Sequence, residues 1–239
     1  MFKTILLNPL FNTLIVLYNT VAFNDLGIAI ILFTLLIRLI LFPLFYKSTR
    51  NQLLMQRIQP EISKIQHTHK DNKEKQAQAM MELYKKHDVN PFSGFLVLLL
   101  QLPVLIAIYQ VFLGGFSTEW LDSLYGFVVR PEHLNTTLFG VIHLDQKNIV
   151  IVILAAVMQY IQGYHALPKI EKGQVLSQAE KMGRQMMYFS PILTVLILSG
   201  LPAAIGLYWF VTALFSWWQQ IYINKQINIE KETWNSLNK

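Results

Sequence analysis

Long apolar runs alternate with short polar ones along this chain, and the apolar runs have the length of membrane spans. A helix needs roughly 20 predominantly apolar residues to cross a bilayer. Residues 26–46 form the first such run, with Arg38 as its only charge. Residues 91–113 form the second, opened by Asn90-Pro91 and interrupted by Gln101 and Pro103. Residues 149–167 form the third and contain Gln159 and Gln162. Residues 186–201 make a shorter fourth, and residues 203–223 follow almost at once. Gly200-Leu201-Pro202 reads as a tight turn, so these last two runs form a helical hairpin. The pattern predicts an all-α integral membrane protein with five transmembrane helices.

The remaining segments read differently. Residues 1–25 are apolar but carry Asn8, Pro9, Asn12, Thr13 and Asn19. Asn8 is placed to cap a helix whose first residue is Pro9. This predicts an N-terminal amphipathic helix lying in the membrane interface; a sixth span over 4–23 is the alternative. In residues 47–90, Leu54, Ile58, Ile62 and Ile65 recur at helical spacing, and so do Ala77, Met80, Met81 and Tyr84. Asp71-Asn72 between the stripes suits a turn. The segment reads as a soluble helical hairpin whose apolar stripes face each other. Residues 114–148 form a long external loop to which no functional reading attaches. Residues 168–185 form a polar loop in which Ser177-Gln178-Ala179-Glu180 matches a capping box at the start of the fourth helix. Residues 224–239 are a basic tail.

Composition agrees with the pattern. Of 239 residues 53% are apolar and 14% charged, against about 25% charged in a soluble domain. The net charge of +6 is a matter of topology. Residues 47–90 hold nine Lys/Arg, residues 168–185 four and the tail three, so sixteen of the twenty lie on one side of a five-span chain. Lys3, Arg130 and Lys147 lie on the other. The positive-inside rule gives an external N-terminus and a cytoplasmic C-terminus. Nucleic acid, as ribosomal RNA near the basic tail, becomes a secondary reading. The N-terminus lacks the pattern of a cleaved signal peptide. The absence of cysteine excludes disulfides, thiol nucleophiles, Cys-ligated zinc and a Cys-linked lipid anchor.

Candidate chemistry centres on Arg38. An arginine at the middle of a span costs about 2.5–3.5 kcal/mol on insertion scales. A snorkelling structural arginine is the plain reading, since about 12 Å of helix rise separates it from Tyr46. No Asp or Glu lies in any predicted span to pair with it. An unpaired guanidinium needs water, which predicts a wet cavity open to the cytoplasm. Thr34 sits one turn earlier on the same face. Gln101, Gln159, Gln162 and Trp209 are candidates to line the cavity; singly, each is more often interhelical glue. A Ser–His protease, an aspartyl pair and a metal site lack the residues or setting they need. The expectation is no catalysis, no metal and no small-molecule cofactor. Rival readings are an anion or solute transporter using Arg38 as its site, and an assembly factor that only packs against other membrane proteins.

At these residues the chain resembles the YidC/Oxa/Alb family of membrane protein insertases over nearly its whole length. The family's first core span is matched by Gly27, Ile30, Thr34, Arg38 and Pro43. The opening of its cytoplasmic hairpin is matched by Met55, Gln59 and Pro60. Its second span is matched by Asn90, Pro91, Gln101, Pro103 and Tyr109, and its last hairpin by Pro202, Ala203, Leu207, Tyr208 and Trp209. The family's glycine after Pro-Ala is Ala204 here, with Gly206 two residues later. Against the family's pattern, a short form is expected here, without the large extracytoplasmic domain that precedes the first span in the Gram-negative type and without the lipobox cysteine of many Gram-positive members. The resemblance implies a YidC-like bundle in a bacterial cell membrane. It also implies a positively charged groove, Tyr208 included, that holds the polar flank of a substrate while its apolar segment leaves along spans two and five. Nascent membrane proteins, the ribosome and the lipid bilayer are the implied partners, with a Sec-type translocon as an optional one.

Overall fold

The computed structural model describes residues 3–93, 99, 102–103, 105–106, 109–110, 121–167 and 178–237, and of residues 178–180 and 228–237 the backbone alone. Most of the expected second span, Gln101 within it, and Ser177 of the expected capping box lie outside the described residues. A π-helical turn, Lys3–Leu7, runs into α1 (Asn8–Thr20). Then come α2 (Leu26–Ile40), α3 (Phe42–Arg57), α4 (Gln59–Thr68) and α5 (Lys73–Lys86). A two-stranded antiparallel ribbon, β1 (Thr137–Leu138) and β2 (Ile142–His143), precedes α6 (Ile149–Ala166), α7 (Gln178–Leu198) and α8 (Ala203–Leu237).

Asn8 does not cap α1. The chain is already helical at Leu7 (φ −67°, ψ −49°), so Asn8 never adopts the extended backbone a cap requires. Its carbonyl instead accepts from the Asn12 amide at 2.8 Å. Phe11, Leu14, Ile15 and Tyr18 are wholly buried and join the main core. That core is built by α1, α2, α6 and α8.

The apolar run 26–46 is not one straight helix. α2 ends at Ile40 and α3 begins at Phe42, and the two axes meet at 69°. Pro43 is the cause: it has no amide hydrogen to donate to the Leu39 carbonyl one turn back, and its ring crowds that carbonyl. α2 alone spans only about 22 Å. α3 then packs along the far half of α8 through Leu53, Ile223 and Ile227. A second break falls at Ile58, where Pro60 opens α4. The first apolar stripe of the hairpin therefore straddles two helices. Glu61 meets His87 and Gln66 meets Gln76, so α4 and α5 lie side by side in opposite directions. Ile58, Ile62, Leu83 and Val89 form their buried centre. Asn72 caps α5, its side chain accepting from Lys75 N–H at 2.9 Å.

The loop leading into α6 ties the opposite end of the bundle together. Asp25 caps α2 by accepting from Ile28 N–H at 2.9 Å, and its other oxygen accepts from Phe139 N–H at 2.6 Å. The second bond holds the ribbon's turn, where Phe139 (φ 53°) and Gly140 (φ 70°) are left-handed. Tyr18 Oη accepts from Asn135 N–H at 2.8 Å. Asn12 accepts from Tyr125 N–H at 2.7 Å. The first amides of α8 are also taken up by this loop: Ala203 N–H donates to Gln146 O at 2.8 Å and Ala204 N–H to Leu144 O at 2.9 Å. Helix amino termini leave such donors without partners of their own.

Among the described residues, α6 is the one helix long and apolar enough to cross a membrane by itself; the bent pair α2–α3 meets the same criterion when taken together. Asn148 caps α6. Helices α6, α7 and α8 each turn large apolar side chains outward, among them Ile153, Val157, Leu196, Ile197, Leu214 and Trp218. Exposed apolar surface of this kind marks a partner or lipid rather than water. α8 does not stop near residue 223. It continues for 35 residues, about 52 Å, because no Pro or Gly follows Gly206. The segment expected as a separate tail is the continuation of this helix.

Two glycines permit close approach, with different tolerance. A Cβ on Gly27 would lie 2.6 Å from Leu138 Cβ and 2.9 Å from Leu138 Cα, so the backbone of β1 would have to move. A Cβ on Gly206 would lie 2.9 Å from Ile151 Cγ2, a methyl of a buried β-branched side chain with little freedom to turn, but would touch no backbone of α6. Gly27→Ala is expected to lose about 2–3 kcal/mol and Gly206→Ala about 1–2 kcal/mol. Unfolding in detergent micelles measures both, and equal losses would refute the assignment of Gly27 to backbone contact.

Candidate functional site

Arg38 lies in the last turn of α2 and is 7% exposed. The bend at Leu41 carries α3 back across it. The Arg38 guanidinium carbon stands 4.5 Å from the centre of the Phe45 ring. A desolvated cation over an aromatic face gains about 2 kcal/mol. The free carbonyls at the carboxyl end of α2 add a favourable field for a cation. Tyr208 of α8, 3% exposed, is its electrostatic neighbour. Among the described residues Arg38 has no carboxylate partner; the ion pairs seen are Glu61–His87 and Arg130–Asp122, both in the polar segments. Thr34 lies one turn back on the same face, 1% exposed, with its hydroxyl donating to Ile30 O at 2.7 Å.

The other expected site residues fall in two places. Gln159 of α6 accepts from Trp209 Nε1 of α8 at 3.2 Å and, through the same oxygen, from Thr194 Oγ1 of α7. One amide oxygen thus joins three helices. Tyr208 and Trp209 are consecutive, about 100° apart around α8, so they serve different faces: Tyr208 the Arg38 face, Trp209 the Gln159 face. Gln162 is half-buried one turn further along α6. Gln101 lies outside the described residues. Phe45 and Thr194 were missed in the sequence. Phe45 stands seven residues after Arg38, a spacing that would have placed both on one face of a continuous helix. Thr194, 35 residues from Gln159, carries no local signal.

Two cavities open at the end of the bundle that holds α4 and α5. One, of about 520 Å³, lies between the start of α3 and the end of α5, with Lys47, Arg50, Lys85 and Asp88 in its wall. Burial pushes the Tyr84 phenol in the same wall above its ordinary range. The other, of about 660 Å³, is framed by α3, α6, α7 and α8. Arg38 lines neither; its immediate shell is aromatic.

Comparison with known proteins gives a consistent result. The family described as 60Kd inner membrane protein matches residues 16–232. A Clostridium tetani protein named membrane protein insertase YidC is 35% identical over 204 residues, covering 83% of this chain and 81% of that one. A protein of the same name from Pelobacter propionicus is 31% identical over 225 residues, 94% of this chain but 39% of its own length. One from Clostridium perfringens is 54% identical over 103 residues, 41% of this chain and 43% of the relative. The chain thus spans about two-fifths of some curated relatives it matches. These relatives carry the name of an insertase, not of an anion transporter.

The three-helix junction at Gln159 yields a stability prediction. Gln159→Leu strands the Trp209 and Thr194 donors and is expected to cost about 1–3 kcal/mol. Gln159→Glu keeps an acceptor oxygen only by placing an ionisable carboxyl within a span, so it is expected to cost at least as much. Pairing Gln159→Leu with Thr194→Val should recover part of the loss, because removing both partners is milder than orphaning one. Denaturant unfolding in micelles reads all three, and an unchanged midpoint for Gln159→Leu would remove Gln159 from the clamp.

Proposed function

Because this chain belongs to the 60Kd inner membrane protein family, the YidC/Oxa/Alb insertases, we propose that it inserts newly made membrane proteins into the bilayer and assists their folding there. In this reading it crosses a bacterial cell membrane five times, with the N-terminus outside and the C-terminus in the cytoplasm. Its substrates are hydrophobic segments emerging from ribosomes. The ribosome, met through the basic continuation of α8, and optionally a Sec-type translocon are its partners.

One observation carries the mechanism: a buried guanidinium whose described neighbours are aromatic rings and not carboxylates. Phe45 and Tyr208 hold Arg38 in place without neutralising it. An acidic or polar flank of a substrate therefore finds a positive charge inside a largely apolar bundle. Hydrocarbon charges several kcal/mol for each polar group left without a partner. A transient bond to Arg38 lowers that barrier while the substrate's apolar segment passes into lipid, and the membrane potential helps drive an acidic tail outward. We place Thr34, Arg38 and Tyr208 on the substrate path, with Gln101 and Gln162 as further contacts, and Gln159 with Trp209 at its structural wall. The short α2, about 22 Å against a hydrocarbon layer of about 30 Å, supports a locally thinned bilayer at this point.

The test is insertion into proteoliposomes of paired substrates that differ only in the charge of the translocated tail. Arg38→Ala is expected to slow the acidic-tailed substrate by roughly tenfold to a hundredfold, the worth of one charged hydrogen bond, and the neutral one little. Arg38→Lys should retain much of the activity. Equal rates of both substrates with Arg38→Ala would remove the charge from the mechanism.

A further inference from the structure

We propose that the 660 Å³ cavity framed by α3, α6, α7 and α8 binds the phosphodiester headgroup of an anionic phospholipid. The proposal uses the bilayer-spanning reading above but not the insertion activity. Three observations meet at this cavity.

The first is its chemistry. Arg57 of α3, His165 of α6 and Arg184 of α7 converge on one space from three helices, joined by Gln56 and Asn224, and no carboxylate is among the described lining residues. A guanidinium offers five donors in a fork that matches phosphate oxygens, so it can keep a protein neighbour and still hold a phosphate. Gln56 fixes the frame by donating to Ala166 O at 2.7 Å, which ties α3 to the last carbonyls of α6. His165 Nδ1–H donates to Ile161 O at 2.9 Å and the ring stands edge-on to Trp217, so the imidazole is held at the cavity wall by its own helix and by α8.

The second is depth. α6 runs 18 residues from its Asn148 cap to Ala166, about 27 Å, close to the hydrocarbon thickness. Tyr164, His165 and Leu167 therefore stand where headgroups begin. The third is the outer wall. Tyr160, Tyr164 and Tyr188 form a ladder, with ring centres 6.5 Å apart for Tyr160–Tyr164 and 5.9 Å for Tyr160–Tyr188. Tyr164 and Tyr188 are 61% and 59% exposed. Tyrosines at this level are the usual interfacial belt. Here two of them also line the cavity, so its polar interior is continuous with a face that accepts an acyl chain. A soluble anion would use the arginines but not the ladder; a lipid uses both. Basic pockets between helices on the cytoplasmic side are the physical type of anionic-headgroup site.

Native mass spectrometry of the purified full chain, titrated with phosphatidylglycerol or phosphatidylcholine, tests this. The expected result is retention of phosphatidylglycerol about tenfold stronger than phosphatidylcholine. That preference should vanish in Arg57→Gln/Arg184→Gln and persist largely in Arg57→Lys/Arg184→Lys. No preference in the native chain, or an undiminished preference in the glutamine pair, overturns the proposal. Displacement of the lipid by inorganic phosphate at equal concentration would assign the cavity to a soluble anion and overturn it equally. A second measurement needs no variant. A photoactivatable phosphatidylglycerol should label the peptides holding Arg57, Tyr164 and Tyr188, and labelling spread evenly over the outer faces of α6, α7 and α8 would refute a defined site.

Discussion

Pro43 withholds one amide hydrogen from the first apolar stretch, and much of the molecule's arrangement depends on that omission. With a continuous helix from Leu26 to Tyr46, Arg38 would project from the side of a rod. The break at Leu41 instead puts Arg38 in a helix's final turn, beside carbonyls that favour a cation. The 69° bend brings Phe45 over the guanidinium and lays α3 against the far half of α8. Arginine, aromatic cover and the route toward the polar hairpin are thus set by a single residue.

The two ends of the bundle are finished in opposite ways. At one end the loop before α6 takes up the free amides of two helix termini and the hydroxyl of Tyr18, and Gly27 lets the ribbon lie directly on α2. Little there is left open. At the other end the helices splay around two cavities lined by lysine and arginine. This asymmetry suits the proposed role, in which a substrate would arrive from one side only. It also gives residues 121–148 a structural purpose that their sequence did not announce.

Some of this could be read along the chain, and some could not, for physical reasons. Arg38 stood out because a charge in an apolar run is rare, and Thr34 followed from helical spacing. The stripe from Leu54 to Ile65 and the turn at Asp71-Asn72 are local features, written within a few residues; that Asn72 also caps α5 was not read from them. Gln159 was visible as a polar residue in a span, but its oxygen is satisfied by groups 35 and 50 residues away, and no local pattern encodes such a meeting. The stacking of Arg38 on Phe45 needed the direction of a bend, which Pro43 foretells in place but not in angle. Asn8 was misread because its residue type favours a cap, while the backbone preceding it was already coiled. The end of α8 was misplaced because the loss of hydrophobicity near residue 223 marks where apolar surroundings end, not where a helix does.

That last point has a mechanical side. From Ala203 to Leu237 the chain has no hinge. A helix resists bending and twisting far more than a loop does, so α8 acts as a stiff shaft. Its near end is anchored by carbonyls of Leu144 and Gln146, and its far end stands beyond the cavities, where a large body can press on it. Force applied there has no soft joint in which to dissipate before it reaches Tyr208. Torque on the outer turns of α8 would be felt at Tyr208, some thirty residues back along the same helix, and through it at the seat of Arg38 on α2.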